Sequence, residues 1–481
     1  MKNRIILAGA AALLSLTATA QVGAPFIHDP SAIVESNGKY YTFGTGTGSL
    51  VSNDGWVWEA GYQRPRTHSG AAPDAMKIGD RYLLAWSSTG GGLGGAHAGT
   101  ILTSWNKTLD IDSPDFGWSE PIKVAESLQD EDCDAIDAAL LLDPSGRLWV
   151  SYGTFFGNIR ILELDPKTGD RAPGAEPVDV AIDCEGTGLQ WRDGWYYLYG
   201  THGTCCDGVN STYNIVVGRS RNATGPYLDN LGRDMMEGGG KMVVAAGNRK
   251  NGAGHFGLWY ESEDIQKMSF HWEADYDFGG SSTLAIRPLL WRDGWPKAGE
   301  LFEDGTYEIE SERRGYAVEL AVDFVRLNVA RRRGFGGADN EPIVPLECQK
   351  LEDVIDTWPT GNIDVRANDY MFRPHQRWTI TAVPEAGGYI GGPYVKICIE
   401  GTNRALAATA GAELTTVPEF TGADEQLWRI DQLTDGTYRI MPKAVPGTKE
   451  QYCLVSTADT SVSLGKFDPK SDNSKWNLRA H

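Results

Sequence analysis

Four acidic residues stand where apolar, strand-like runs begin: Asp29 in His28-Asp29-Pro30-Ser31, Asp74 in Ala72-Pro73-Asp74, Asp137 in Ala135-Ile136-Asp137 and Glu185 in Asp183-Cys184-Glu185-Gly186. His255 takes the corresponding place in a fifth, weaker run, Gly254-His255-Phe256. A carboxylate beside a buried strand costs free energy unless it is paired or used. One such Asp next to Pro or Gly is ordinarily a turn cap. Several at one phase are different, because clustered like charges destabilise a fold unless a ligand or a reaction uses them. The chemistry open to such a set is glycoside hydrolysis: one carboxylic acid protonates the leaving oxygen while another carboxylate activates water or attacks directly. A third carboxylate nearby raises the pKa of the acid by repulsion.

The elements that must position these residues are visible as an internal repeat. Each polar residue is followed by an apolar strand, a Gly- or Asp-containing turn and an aromatic strand: Asn37-Gly38 then Lys39 to Gly44, Gly79-Asp80 then Arg81 to Ser87, Ser145-Gly146 then Arg147 to Gly153, and Asp193-Gly194 then Trp195 to Gly200. Two strands, a tight turn and more strand-like sequence outline a four-stranded sheet. Five such units predict a five-bladed β-propeller over residues 21–300. The innermost strand of each blade faces the channel, so Asp29, Asp74, Asp137, Glu185 and His255 are expected to converge at one mouth.

After Trp295-Pro296 the pattern changes. Three units open on Gly305-Thr306-Tyr307, Gly387-Gly388-Tyr389 and Gly436-Thr437-Tyr438, and close on Gln376-Arg377-Trp378, Gln426-Leu427-Trp428 and Ser474-Lys475-Trp476. The Trp residues recur at the spacing of subdomains too small to bury a core alone, and an insertion runs roughly from Arg331 to Asp369. Long amphipathic helical patterns are absent, so the expected class is all-β, with this second, threefold unit over 301–481.

At the N-terminus, Met1-Lys2-Asn3-Arg4, the apolar run Ile5 to Leu16 and Ala18-Thr19-Ala20 read as a signal peptide over residues 1–20, predicting a secreted or periplasmic protein. No later stretch is long and apolar enough to cross a bilayer. The net charge of −20, with unclustered Lys and Arg, argues against nucleic acid or an anionic membrane as partner. The cysteine spacing gives no zinc pattern, and the adjacent Cys205-Cys206 read as a strained vicinal pair or as two buried thiols, of which buried thiols are the expectation. The glycine-rich stretch from Gly90 to Gly95, with His97, reads as a loop after the second blade.

The joint occurrence of His28-Asp29-Pro30-Ser31, Ala72-Pro73-Asp74, Ala135-Ile136-Asp137, Cys205-Cys206, Ser211-Thr212-Tyr213-Asn214, Val217-Gly218-Arg219-Ser220, Thr224-Gly225-Pro226-Tyr227, Gly254-His255 and Leu284 to Leu289 resembles the arabinanases of glycoside hydrolase family 43 over roughly residues 24–300. The resemblance implies an inverting mechanism, with Asp29 as general base, Glu185 as general acid and Asp137 tuning and orienting that acid. It implies that Asp74 and Arg287 contact substrate, and that His255 reaches a metal, usually calcium, held largely by water in the channel. The implied partner is plant cell-wall polysaccharide, arabinan or arabinose-containing side chains. Ala71, Ala138 and Thr187-Gly188 depart from the family pattern near the sugar-binding floor, which leaves endo-arabinanase, exo-arabinanase and arabinofuranosidase open. A protein that binds carbohydrate without cleaving it is the alternative class, disfavoured because acid and base are both present. The threefold unit resembles a ricin-type β-trefoil, which implies a sugar-holding module or a structural appendage.

Overall fold

The computed structural model describes residues 21–88, 99–128, 132–323 and 350–481. The predicted signal peptide, the Gly90–Gly95 stretch with His97, part of the expected insertion and Cys348 lie outside the described residues. Among those residues, no helix is long and apolar enough to cross a membrane.

The first three-fifths of the chain is a five-bladed β-propeller. Its blades are antiparallel sheets whose strands follow chain order from the channel outward. Blade one comprises Val34–Ser36, Lys39–Phe43, Ser49–Ser52 and Val57–Ala60; blade two comprises Ala71–Ile78, Arg81–Ser88, Thr100–Asn106 and Ile122–Glu126. Blade three follows with Ala139–Leu142, Leu148–Tyr152, Ile159–Leu164 and Val178–Ala181. Blade four is Glu185–Arg192, Trp195–His202, Asn214–Ser220 and Lys241–Val244, and blade five Lys250–Ser262, Ile265–Asp275, Ser281–Arg292 and Trp295–Ala298. The first hairpin turn of blades one and four places both central residues at positive φ, Asn37 (53°) with Gly38 (74°) and Asp193 (52°) with Gly194 (77°). That geometry matches the strand twist and explains the Asn-Gly and Asp-Gly dipeptides. Val22–Gly23 adds a fifth, parallel strand to the rim of blade one.

The ring closes between blades one and five. The Leu284 N–H donates to the Pro25 carbonyl (2.8 Å), and the Ser269 and Ser282 hydroxyls donate to the carbonyls of Ser31 and Ile27. Ile27, Ile33, Leu50 and Trp58 of the first blade region pack with Leu284 and Ile286 of the last, and Ile390 from the C-terminal region completes this cluster. Ile390 lies at the tip of a hairpin, Gly388–Tyr389 with Gly392–Pro393. Backbone bonds fix the tip: Gly391 N–H to the Gly55 carbonyl (3.1 Å) and Gly388 N–H to Asp54 Oδ2 (3.0 Å). Beside it the buried Lys267 of blade five meets Asp431 (3.2 Å), which also pairs with Arg429 and Arg439.

Twelve strands of the C-terminal region form one connected sheet. Trp378, Trp428 and Trp476 are fully buried in its core, and each donates its indole N–H to a backbone carbonyl: Val318 (2.8 Å), Leu406 (3.1 Å) and Leu454 (2.9 Å). A 3-10 turn precedes each Trp, over Pro374–Gln376, Asp424–Gln426 and Asp472–Ser474. Gln376 and Gln426 accept the backbone N–H of Met371 (2.8 Å) and Thr421 (2.7 Å). Ser474 accepts that of Asp468 (3.3 Å), so its shorter side chain does the work of the missing Gln.

Candidate active site

Each blade carries a residue in the left-handed backbone region as its innermost strand enters the channel, Asp29 (φ 53°), Ala72 (40°), Asp137 (60°), Gly186 (50°) and His255 (63°), and blades four and five add Asp183 (58°), Arg249 (60°) and Gly252 (69°) close by. Only glycine enters this region freely, so Asp29, Ala72, Asp137 and His255 are held there by their surroundings. In blades two, four and five the pairing register slips at that point, between Ala71 and Asp74, Glu185 and Gly188, and Gly254 and Gly257. Bulges of this kind re-aim a side chain away from the strand's alternation. Side chains from different blades consequently meet: His255 Nδ1 lies 3.8 Å from Asp29 Oδ1, and the N–H of Gly186 donates to Asp137 Oδ2 (2.9 Å), drawing Asp137 against the residue after Glu185.

This register corrects the expected ring at two of its five members. Glu185 precedes the left-handed position by one residue and Asp74 follows it by two. Glu185 still reaches the mouth, where its Oε1 accepts the hydroxyl of Tyr213. Asp74 does not serve there. Its carboxylate accepts the N–H groups of Ala32 (3.0 Å), Ala75 (2.9 Å) and Leu140 (2.8 Å), which occupy one phase in three successive blades, so it ties those blades together inside the channel. Arg287 is also misplaced by the expectation: it lies on the third strand of blade five, too far outward to face the channel, and its guanidinium is held by Glu300 and the Gly299 carbonyl.

Asp29 is enclosed by histidines. His28 Nδ1 lies 2.9 Å from its Oδ2, its backbone N–H donates to His271 Nδ1 (3.1 Å), and the Thr45 hydroxyl donates to its carboxylate. Behind them Glu273 Oε1 approaches His28 Nε2 (3.1 Å) and His271 Nε2 (3.5 Å) and accepts the Cys206 N–H (3.0 Å). Tyr213, His28, His271 and Glu273 complete the site beyond the residues expected from the repeat. His28 and Tyr213 sit inside motifs already noted, whereas His271 and Glu273 carry no local signal within a strand that is buried along its length.

Burial opposes ionisation of Asp29, but the charge and hydrogen bond of the His28 imidazolium overcome it and hold Asp29 well below the usual carboxylate range. His28 is reciprocally raised to about 10: burial disfavours its charge, and the carboxylates of Asp29 and Glu273 more than restore it. Glu185 is pushed up to about 7 by burial, reinforced by the charges of Asp29 and Glu273 and opposed by the Tyr213 hydroxyl. Asp137 is raised well above its ordinary value by burial, then by Glu185 and Asp29. Buried together, Asp137 and Glu185 hold at least one proton between them at neutral pH. His255 is lowered to about 4, chiefly by burial, and is therefore neutral.

Cys205 and Cys206 are joined in a disulfide, with Cys205 half-buried and Cys206 exposed, which corrects the expectation of buried thiols. They lie on a surface loop between the second and third strands of blade four, where no core surrounds them. Cys133, Cys184, Cys398 and Cys453 are the buried free thiols among the described residues.

A propeller mouth that keeps one carboxylate ionised and another protonated is equipped as a glycoside hydrolase. The chain belongs to the glycosyl hydrolases family 43, whose model matches residues 19–296, ending within the last strand of blade five. It is 30% identical over 310 residues to the extracellular exo-α-(1→5)-L-arabinofuranosidase ArbA of Cellvibrio japonicus, covering 57% of this chain and 86% of that protein. It is 30% identical over 297 residues to the extracellular endo-α-(1→5)-L-arabinanase 1 of Bacillus subtilis, covering 56% and 87%. Among solved structures, the Cellvibrio cellulosa α-L-arabinanase complexed with arabinohexaose superposes with a TM-score of 0.52 at 28% identity, over 57% of this chain and 95% of that one. Exo- and endo-acting enzymes thus stand at the same similarity.

Proposed function

We propose that this protein is an exported, inverting glycoside hydrolase that cleaves α-L-arabinofuranosyl linkages of arabinan by an arabinanase-like reaction. The observation that carries the reading is the opposed setting of two carboxylates at one mouth, Asp29 paired with His28 and held well below the usual range, and Glu185 buried against the Tyr213 hydroxyl and pushed up to about 7. Asp29 takes a proton from the water that attacks the anomeric carbon, while Glu185 gives one to the leaving glycosidic oxygen. Asp137, drawn by the Gly186 N–H against the residue that follows the acid, tunes and orients it, and the Tyr213 hydroxyl fixes the orientation of the Glu185 carboxyl. His28, backed by Glu273, holds the base ionised and in place.

Calcium belongs to the same reading. His255 presents a neutral, buried imidazole, and a Cβ at Gly186 would come within 3.1 Å of its Nδ1, so glycine keeps that approach open. His255 would offer one nitrogen to an ion whose other ligands are water oxygens. Bound there, the ion would supply positive charge to the channel. The C-terminal unit is read as a β-trefoil-like module over 301–481, supported by its three equivalent Trp–carbonyl bonds. Export is supported by the N-terminal pattern over residues 1–20.

The test is product analysis on linear arabinan beside an aryl arabinofuranoside. Mixed oligosaccharides indicate endo action, and arabinose or a single short product indicates exo action. No turnover of either substrate by purified, folded protein would overturn the arabinan reading.

A further inference from the structure

The Cys205–Cys206 disulfide stands at the active-site mouth, and none of the roles assigned above uses it. Its sulfurs, an imidazole nitrogen of His28 and a carboxylate oxygen of Glu273 all lie within 4.8 Å of one another. The other nitrogen of His28 is 2.9 Å from Asp29, so the disulfide stands one imidazole away from the general base. The loop that carries it is pinned on both sides: the Cys206 N–H donates to Glu273 Oε1, Thr204 and Thr212 each donate a backbone N–H to the other's hydroxyl (3.1 Å), and the Ser211 hydroxyl donates to the Thr204 carbonyl (2.7 Å). Cys206 is exposed and yet held at φ 61°, a conformation that a non-glycine residue keeps only where its surroundings impose it, and one that clusters at functional sites.

Two bonded sulfurs carry no S–H donor and present a soft, polarizable surface. Around them the mouth is otherwise charged or hydrogen-bonding, through His28, Asp29 and Glu273. A glycan brings a matching surface, the C–H-bearing face of a furanose ring, whereas its hydroxyls match the polar groups. We propose that the Cys205–Cys206 disulfide is an apolar wall of the sugar-binding cleft, against which one arabinofuranosyl ring beside Asp29 packs. This wall rests on the arabinan reading above.

The experiment is calorimetric titration of a linear arabino-oligosaccharide into Glu185→Gln protein, with the disulfide intact and in a Cys205→Ser/Cys206→Ser background. Loss of the wall is expected to weaken binding about tenfold. In the catalytically active background KM on arabinan rises by a similar factor with kcat changed less than about twofold. A fall in kcat at unchanged KM would mean that the disulfide only props Glu273 and His28, and would overturn the proposal. If the serine pair lowers the melting temperature, Cys205→Ala/Cys206→Gly carries the comparison, because glycine accepts the left-handed backbone at position 206. Unchanged affinity in both pairs removes the wall and leaves the arabinan reading standing. Absence of arabino-oligosaccharide binding by the disulfide-intact parent fails the arabinan reading, and the wall with it.

Discussion

The propeller and the C-terminal unit are both built by repetition, yet they use the repeated position in opposite ways. In the C-terminal unit it is filled by the same side chain three times, Trp378, Trp428 and Trp476, each buried and each bonded to a carbonyl. In the propeller only the backbone conformation repeats, and the side chains it carries are Asp29, Ala72, Asp137, Gly186 and His255. A buried position is fixed by packing volume and a single hydrogen bond, so its residue type stays constant. Ala72, Asp137, Gly186 and His255 are buried too, but each meets different neighbours, so one chain path carries five different side chains. Side-chain identity kept in one repeat and varied in the other is how the propeller brings two carboxylates and a neutral imidazole onto one repeated chain path.

The sharpest way to break this comparison is to remove side chains from each region and ask what is lost. Asp29→Asn and Glu185→Gln are each expected to lower turnover of linear arabinan by about 10²–10⁴-fold, measured as reducing ends released, while the protein stays folded by circular dichroism. Trp428→Ala should do the reverse, lowering stability by about 3–5 kcal/mol in urea titration through cavity formation and an orphaned Leu406 carbonyl. Ile390 joins the two regions, since its side chain completes the core between blades one and five. Ile390→Ala is expected to cost about 2–5 kcal/mol and to shift one common transition. Two transitions, of which only one moves, would show that the regions fold separately.

Smaller effects sharpen the electrostatic side. A general acid raised to about 7 predicts kcat/KM on arabinan falling tenfold per pH unit above that value, because the proton needed by the leaving oxygen is lost. Asp29 lies well below the usual range, so the acidic limb should fall at lower pH than an ordinary carboxylate gives. The same raised pKa bears on stability. An acid whose folded pKa lies above its unfolded value contributes stability at low pH that is lost as pH rises from its ordinary value of 4.5 through about 7. Glu185→Gln should therefore raise the melting temperature at pH 8 by about 2–4 °C relative to the parent, and change it little at pH 4.

What was legible in the chain follows from how local each signal is. Asn37-Gly38 and Asp193-Gly194 announce their hairpins because two consecutive residues must take positive φ there. The alternating strands and the recurring Trp residues announce two repeat architectures because burial period and spacing are written along the chain. Asp29, Asp137, Glu185 and His255 could be picked out because each interrupts an apolar run. The single-residue offset of Glu185 and the two-residue offset of Asp74 could not, since both depend on where the backbone bulges. The place of Arg287 on the third strand of blade five was hidden for a related reason: a motif match says nothing about which strand of a blade carries it.

The sequence by itself determined the all-β class, the five propeller units, the threefold C-terminal pattern and the chemical type of the site, since composition, turn dipeptides and residue types are properties of short segments. Tertiary structure alone decided that Asp74 gathers three backbone N–H groups from three blades, that His271 and Glu273 stand behind Asp29, and that Cys205 and Cys206 are bonded beside them. Each of these contacts joins residues far apart in the chain or depends on a local backbone path, and the closure of five blades into a ring is what makes such distances short.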